Sequence, residues 1–440
     1  MVDTVASIQH LRTKTIAACR ACGCTELEDV FSLGELYPSD FTDTTDWSDR
    51  EKVPLELVLC TECTLVQLRH SYPSELMWSG NYWYRSGVTD TMQLALGEVI
   101  DAASSNVELK SGDVVLDIGS NDGTLLRTYN PELDIVRVGV EPAKNFAETG
   151  AEGVDVFIND FWSYEAYERN IDVVQVAKDE CDTRKAKIIT AIGMLYDLDN
   201  PTVFIADIAK ALHPDGIFIA QFMTLEDMLA THDLGNICHE HYEYYTALSL
   251  ERLLGKCGLV IVDQETVDVN VRSTRFYIKH KASTNAGEAM PPLTDSHKVA
   301  IAENTKVWCR NIQHDCREFH AHIRKNRREL KTLLANLVAG GKTVGVYGAS
   351  TKGNTLLQYY GIDTRFIQCA AERSPEKYGK YTVGTGIPIR SDDEARSFLF
   401  DYMLVLPYTF IDEFIEREKD EEWRKAGGKF IVPLPEVQIL

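Results

Sequence analysis

Four cysteines near the start of the chain stand as two C-x2-C pairs, Cys19 and Cys22 in "ACRACGC" and Cys60 and Cys63 in "LCTECTL". Zinc favours four thiolates in a tetrahedron, and each C-x2-C turn presents two sulfurs on one side. The pairs predict a structural zinc ion whose closed thiolate shell leaves no position for a reactant. A redox pair would instead place one C-x2-C beside a βαβ unit. Cys24 falls outside the pattern.

The second cluster is "DIGSNDGTLL", from Asp117 to Leu126. It holds Gly119 and Gly123 but neither G-x-G-x-x-G nor the lysine of a P-loop, which counts against a bound triphosphate. Gly119 lets the backbone turn tightly and approach a ligand. Asp117 and Asp122 would repel a pyrophosphate and suit a cationic sulfonium with its ammonium group. Ser120 and Asn121 complete the turn. Glu141, followed by Pro142 at the end of the next strand, is placed to accept hydrogen bonds from two ribose hydroxyls. Asp160 and Phe161, after the third strand, could hold an adenine. Together these residues favour S-adenosylmethionine (SAM); an empty βα turn is the competing reading.

Three further runs could carry chemistry. In "NICHEHYEYYTALSLERLL", His239 and His241 are two apart, which is not the H-E-x-x-H zinc pattern. On an extended segment residues i and i+2 share a face, so both histidines would point one way and Glu240 the other. One imidazole could act as a general base with a carboxylate fixing its tautomer. A polar turn between strand and helix is the alternative. In "GKTVGVYGASTKGNTLLQYYGI", Lys352 sits inside a Gly-rich turn, with Gly353, Asn354 and Thr355 opening a helix. Such a turn suits a phosphate or is purely structural. "MWSGNYWYRSGVTDTMQ", Met77 to Gln93, is a lid over a ligand or a packed hinge, with Tyr82 and Tyr84 its candidates.

These clusters need a scaffold. "DVVLDIG", "IVRVGVEP", "VDVFIND", "AKIITAIGML" and the end of "NPTVFIADIAKALHPDGIFIAQF" read as strands, with helices between them and a His-Pro-Asp-Gly turn before the last. Alternation of this kind predicts a doubly wound parallel sheet with ligands at the carboxyl ends of its strands. A charged helical stretch from about His297 to Leu337 leads to a second α/β unit ending in "GGKFIVPLPEV". At 440 residues the chain predicts two or three domains. The net charge of −22 argues against a nucleic-acid partner, which needs clustered Lys and Arg. No run is apolar enough to span a bilayer and no signal-peptide pattern opens the chain, so a cytoplasmic protein with reduced thiols and no membrane partner is expected.

In this order the motifs resemble the sugar C-methyltransferases that act on nucleotide-linked deoxysugars: paired knuckles, "LDIGSNDGTLL", "HEHYEYY", "GASTKGNTLLQYYGI" and "GGKFIVPLP". The resemblance covers almost the whole chain. It implies an α/β protein built from a zinc-binding domain (residues 1–75), a Rossmann-like SAM methyltransferase domain (76–285) and a C-terminal Rossmann-like domain with a helical linker (286–440). The nucleotide-sugar would lie between the last two, which points to Lys352, Gly353, Asn354 and His239 as substrate contacts. The implied reaction methylates a carbon next to a 4-keto group. The implied base is His241, with Glu240 beside it and Tyr82 or Tyr84 as the active-site tyrosine. An O- or N-methyltransferase acting on a glycan or small metabolite is the alternative, and a non-catalytic binding protein a third. The chain departs from better-known members in three places: Cys238 replaces a Tyr, Tyr196 and Asp197 stand where a second His is usual, and Val271, Arg272 and Ser273 replace a Gly-Gly-Ser turn.

Overall fold

The computed structural model of the chain describes residues 12–80, 82–171, 184–269, 271–284 and 295–440, with side chains from 307 onward in the last stretch. Its central sheet has seven strands in the order Leu259–Val267, Ser273–His280, Leu212–Phe222, Ala186–Ile192, Val114–Ile118, Val136–Val140 and Val156–Ile158. The last five of these pair in parallel, and Ser273–His280 runs antiparallel to Leu212–Phe222. Val114–Ile118 is buried along its whole length, as a continuous apolar run covered on both faces should be. Strand order reverses between Val114–Ile118 and Ala186–Ile192, and that is where an open α/β sheet leaves a crevice at its carboxyl edge.

The flanking helices start where the local sequence dictates. Asp90–Asn106 follows Thr89, whose side chain accepts from the Met92 N–H. Pro201–Ala211 follows the Asn200 cap and carries proline in its first turn. The His-Pro-Asp-Gly run falls within the bounds of strand Leu212–Phe222 but takes no partner in the sheet. Pairing with Ala186–Ile192 passes from Leu212 to Ile217, so the four residues between bulge out of the ladder, where the Asp215 N–H bonds His213 Nδ1 at 3.0 Å.

A second sheet of six strands runs Ile389–Ser391, Ala370–Glu372, Val344–Tyr347, Tyr402–Val405, Lys429–Val432 and Gln438–Ile439, all parallel except the last pair. The linker is one helix, Asp295–Ala339, about 67 Å long at 1.5 Å per residue. It packs on strand Leu27–Leu36, where Phe31 stacks on His320 at 4.8 Å.

The N-terminal residues share their cores with the other two units. Cys19, Cys60 and Cys63 belong to the core on one face of the central sheet, whereas Phe31, Leu55 and Leu57 belong to that of the C-terminal sheet. The N-terminal four-stranded sheet also takes Glu243–Tyr244 as its edge strand, paired with Val66–Leu68. The strand that follows the His-Glu-His run is thus held by the cysteine-bearing region. Among the described residues no helix is long and apolar enough to cross a membrane.

Candidate active site

The two knuckles close on each other. The Sγ atoms of Cys19, Cys22, Cys60 and Cys63 all lie within 4.8 Å of one another, with Cys19 to Cys63 at 3.5 Å and Cys22 to Cys60 at 3.4 Å. Tetrahedral zinc with bonds of about 2.3 Å needs sulfurs about 3.8 Å apart, so the donor set fits a zinc ion. Among the described residues no other group of three or more ligands is so placed. Cys24 stands apart, as its Sγ accepts from the Glu26 N–H. Arg20, inside the first knuckle, reaches into the fold. It donates to the Leu68 carbonyl at 2.6 Å and to Ser71 Oγ at 2.7 Å, and its guanidinium covers the Tyr242 ring at 5.0 Å.

At the carboxyl edge of the central sheet lies a cavity of about 330 Å³ lined by Gly119, Asn121, Glu141, Pro142 and Phe161. Gly119 has φ +74°, and a Cβ there would come within 3.0 Å of Met194. Glu141 is buried. Its Oε2 accepts from the Asn121 N–H at 3.0 Å and its Oε1 from the Ala143 N–H at 2.9 Å. Each oxygen keeps a second lone pair for a ligand. Aromatic walls come from Trp78, Trp162 and Phe204, which the sequence reading missed.

Three residues expected here serve other ends. Asp122 does not line the cavity. Its Oδ2 accepts from the Gly87 N–H at 3.0 Å and its Oδ1 from Thr124 Oγ1 at 2.7 Å, so it ties the aromatic segment to the turn. Gly123 is the left-handed residue before helix Thr124–Arg127, where a Cβ would strike the Gly150 carbonyl at 2.8 Å. Asp160 is exposed and accepts from the Phe161 N–H.

An adjoining cavity of about 220 Å³ brings together residues far apart in the central and C-terminal parts of the chain: Asp117 and Ser120, Tyr82 and Tyr84, Glu240 and His241, Asp197, and Lys352. The two cavities share Tyr82, Tyr84, Ser86, Gly119, Ile192, Gly193 and Asp197. The aromatic segment roofs both. Asn145 clasps the Tyr82 backbone at 3.0 and 3.1 Å, and Asn121 receives the Ser86 N–H while donating to the Tyr84 carbonyl, both at 3.0 Å.

The His-Glu-His run is a turn, since the His241 N–H bonds the Cys238 carbonyl at 3.3 Å. The i, i+2 rule for extended chain therefore does not apply. Glu240 and His241 face the cavity together, and His239 turns away, its Nε2 at 2.9 Å from the Val53 carbonyl. His239 is a strut to the N-terminal sheet rather than a lining residue. His241 Nδ1 lies 2.7 Å from the Asn236 carbonyl. A carbonyl only accepts, so Nδ1 carries the proton and Nε2 keeps its lone pair. Burial, and the Lys352 ammonium behind it, hold His241 well below the ordinary imidazole range. The ring is therefore neutral at neutral pH. Burial raises Asp117 to about 7, against the pull of a 2.6 Å hydrogen bond from Thr190 and with the Glu141 charge adding to the rise. Burial likewise raises Glu240 to about 7, opposed by Lys352.

Lys352 opens helix Thr351–Tyr360 and lines this acidic cavity. Gly353 and Asn354 do not. The Gly353 N–H is taken by the Ser350 side chain at 3.0 Å, and Asn354 Nδ2 donates to the Asp40 carbonyl at 2.9 Å. A third cavity, about 550 Å³, lies between the aromatic segment and the carboxyl edge of the C-terminal sheet. It presents Trp83 and Arg85 of that segment with Glu372, Lys377, Phe414 and Arg417, and the last four carry no motif in the sequence. It meets the acidic cavity at Tyr84, Ser350 and Thr351.

Comparison with known proteins places this arrangement. A zinc binding domain family matches residues 19–78, a methyltransferase domain family residues 89–264, and a C-methyltransferase C-terminal domain family residues 273–435. The chain is a SAM-dependent methyltransferase whose C-terminal region is similar to that of the C-methyltransferases. It is 29% identical over 432 residues to C-methyltransferase NovU of Streptomyces niveus, covering 97% of both chains. Solved structures similar to the enzyme include a SAM-dependent methyltransferase from Clostridium acetobutylicum (13% identity, 44% of this chain and 92% of that one, TM-score 0.31). Another is magnesium protoporphyrin IX methyltransferase from Synechocystis (12% identity, 42% and 78%, TM-score 0.29). By its methyltransferase domain the enzyme uses SAM, and its four N-terminal thiolates form a structural zinc centre.

Proposed function

We propose that this methyltransferase is a C-methyltransferase that acts on a carbon adjacent to the 4-keto group of a nucleotide-linked deoxysugar, with His241 as general base. The observation that carries the reading is the bond from His241 Nδ1 to the Asn236 carbonyl, which leaves Nε2 basic on a ring lining the acidic cavity. In this reading SAM lies in the crevice of Gly119, Ser120, Asn121, Glu141, Pro142 and Phe161, with Asp117 toward its ammonium group. The sugar fills the acidic cavity, and the nucleotide occupies the larger cavity beside Arg85, Lys377 and Arg417. Residues 1–75, 76–285 and 286–440 then act as zinc-binding, methyl-donor-binding and nucleotide-binding units.

When bound, SAM supplies an electrophilic methyl group. The ketone acidifies the neighbouring C–H, and His241 Nε2 removes that proton. Tyr82 and Tyr84, roofing the junction, offer hydroxyls to the enolate oxygen. The clasped aromatic segment excludes water and holds the carbon against the methyl, where alignment lowers the barrier. Glu240 and Lys352 set the charge around His241.

Transfer of radiolabelled methyl from SAM to a panel of 4-keto nucleotide sugars tests the proposal. Incorporation into carbon, with solvent deuterium exchanged at the same carbon by enzyme lacking SAM, is the expected result. Methyl recovered on oxygen or nitrogen without exchange would assign the O- or N-methyltransferase reading instead.

A further inference from the structure

We infer that Asp197 is a catalytic residue whose carboxylic acid, holding its proton, donates a hydrogen bond to the substrate oxygen that becomes the enolate. The inference rests on the C-methylation reading above. Asp197 is the one carboxyl group among the described residues that lines both the crevice and the acidic cavity. It therefore stands where methyl and carbon must meet.

Charge decides its state. The acidic cavity collects Asp117, Asp197, Asp233 and Glu240 against one lysine, Lys352. Three buried carboxylates and the half-buried Asp197, whose Oδ1 is itself buried, cannot all ionise beside a single ammonium, because each carries its own desolvation cost. Asp233 has fixed donors, the Tyr408 hydroxyl and the Gly235 N–H at 2.9 Å. Asp117 has Thr190. Asp197 Oδ1 is buried with no hydrogen-bond partner among the described residues, an arrangement that suits a proton-bearing acid waiting for an acceptor. Burial, with Glu240 and Glu243 nearby, holds Asp197 well above the usual carboxylate range against the pull of Lys352. A carboxylic acid kept neutral at pH 7 is an effective donor to an enolate oxygen.

The step balances without transfer from Asp197. His241 Nε2 takes the C–H proton and the electron pair spreads onto the oxygen hydrogen-bonded by Asp197. The pair then returns to form the new C–C bond as the S–CH3 bond breaks toward sulfur. Asp197 keeps its proton and the ketone is restored.

The test uses the full-length zinc-loaded enzyme, a 4-keto nucleotide sugar that the wild type accepts, and the variants Asp197→Asn and Asp197→Ala. An amide retains an N–H donor, so D197N should stay within about tenfold of wild type, whereas D197A should lose about 10²–10³-fold in kcat, as when one oxyanion donor is removed. Solvent deuterium exchange without SAM should fall in parallel in D197A. Infrared difference between wild type and D197N at neutral pH should show a protonated carboxyl stretch. This last measurement needs no substrate. Exchange at the wild-type rate in D197A, D197N as inactive as D197A, or an ionised carboxylate band would overturn the role of Asp197 and leave His241 untouched. A wild type that neither exchanges nor methylates any such sugar would instead overturn the C-methylation reading, and this role with it.

Discussion

The Tyr196 ring sits 4.1 Å, centroid to centroid, from the His241 imidazole, tilted by 45°. The same residue's carbonyl accepts from the Tyr242 N–H at 2.7 Å and the Glu243 N–H at 3.0 Å. Residues 196–197 and 241–243 therefore form one unit, and the His241 imidazole is aimed by a neighbour from a different strand end. Replacing the buried ring should cost about 3–5 kcal/mol, the usual result for emptying an aromatic core site. Tyr196→Ala should lower Tm and turnover together, and Tyr196→Phe should keep both, since the ring does the packing. Thermal melts with kinetics on both variants check this; equal activity in all three proteins would remove Tyr196 as the support of His241.

Zinc should act on the active site through the chain that follows His241. Strand Val66–Leu68, which starts three residues after Cys63, pairs with Glu243–Tyr244, and the Leu68 N–H bonds the Tyr242 carbonyl at 2.8 Å. Stripping zinc with a chelator, or Cys63→Ser, should expose the amides of residues 242–245 to hydrogen exchange before those of strand Val136–Val140. Unchanged protection at 242–245 in the zinc-free protein would break the link.

Glu141 holds the turn and faces the crevice at once. Glu141→Ala should weaken SAM binding by about 10–100-fold, the weight of a hydrogen bond to a charged group. Titration calorimetry measures it, and a Kd equal to the wild type would move SAM elsewhere.

Buried charge gives a pH signature. Glu240 in the fold titrates near 7, above its ordinary 4.5, so the folded state binds its proton more tightly than the unfolded chain. Its contribution is fully present below about 4.5 and is lost as pH rises through about 7. Glu240→Gln should therefore gain relative to wild type between pH 5 and pH 8, by up to ~3 kcal/mol. His241 has the opposite sign. Its lowered value means stability is present above 6.5 and falls as pH drops below that, where the unfolded imidazole takes up a proton first. Denaturant unfolding of wild type and E240Q across this range isolates the Glu240 effect, because His241 is common to both; a pH-independent difference would contradict the placement of Glu240.

Much of this was legible in the residues. The cysteine spacing, the apolar strands and the turn at Gly119 each carry a local physical cause, so the zinc centre, the central sheet and the Glu141 crevice could be anticipated. Failures came where tertiary contacts choose between local options. Asp122 and Gly123 belong to the right turn but serve its geometry. His239 and His241 split because the run bends at Cys238, which spacing alone does not reveal. Gly353 and Asn354 sit beside Lys352 in sequence, yet helix capping and the Asp40 carbonyl claim them. Trp162, Phe204 and Arg417 carried no motif, and only folding brings them to the cavities.

The most direct test is single-turnover methyl transfer by His241→Ala beside its SAM affinity. Binding should stay near wild type while transfer slows about 10²–10⁴-fold, the usual weight of a general base. Transfer at the wild-type rate would show that the proton leaves by another route and that the imidazole is only part of the wall.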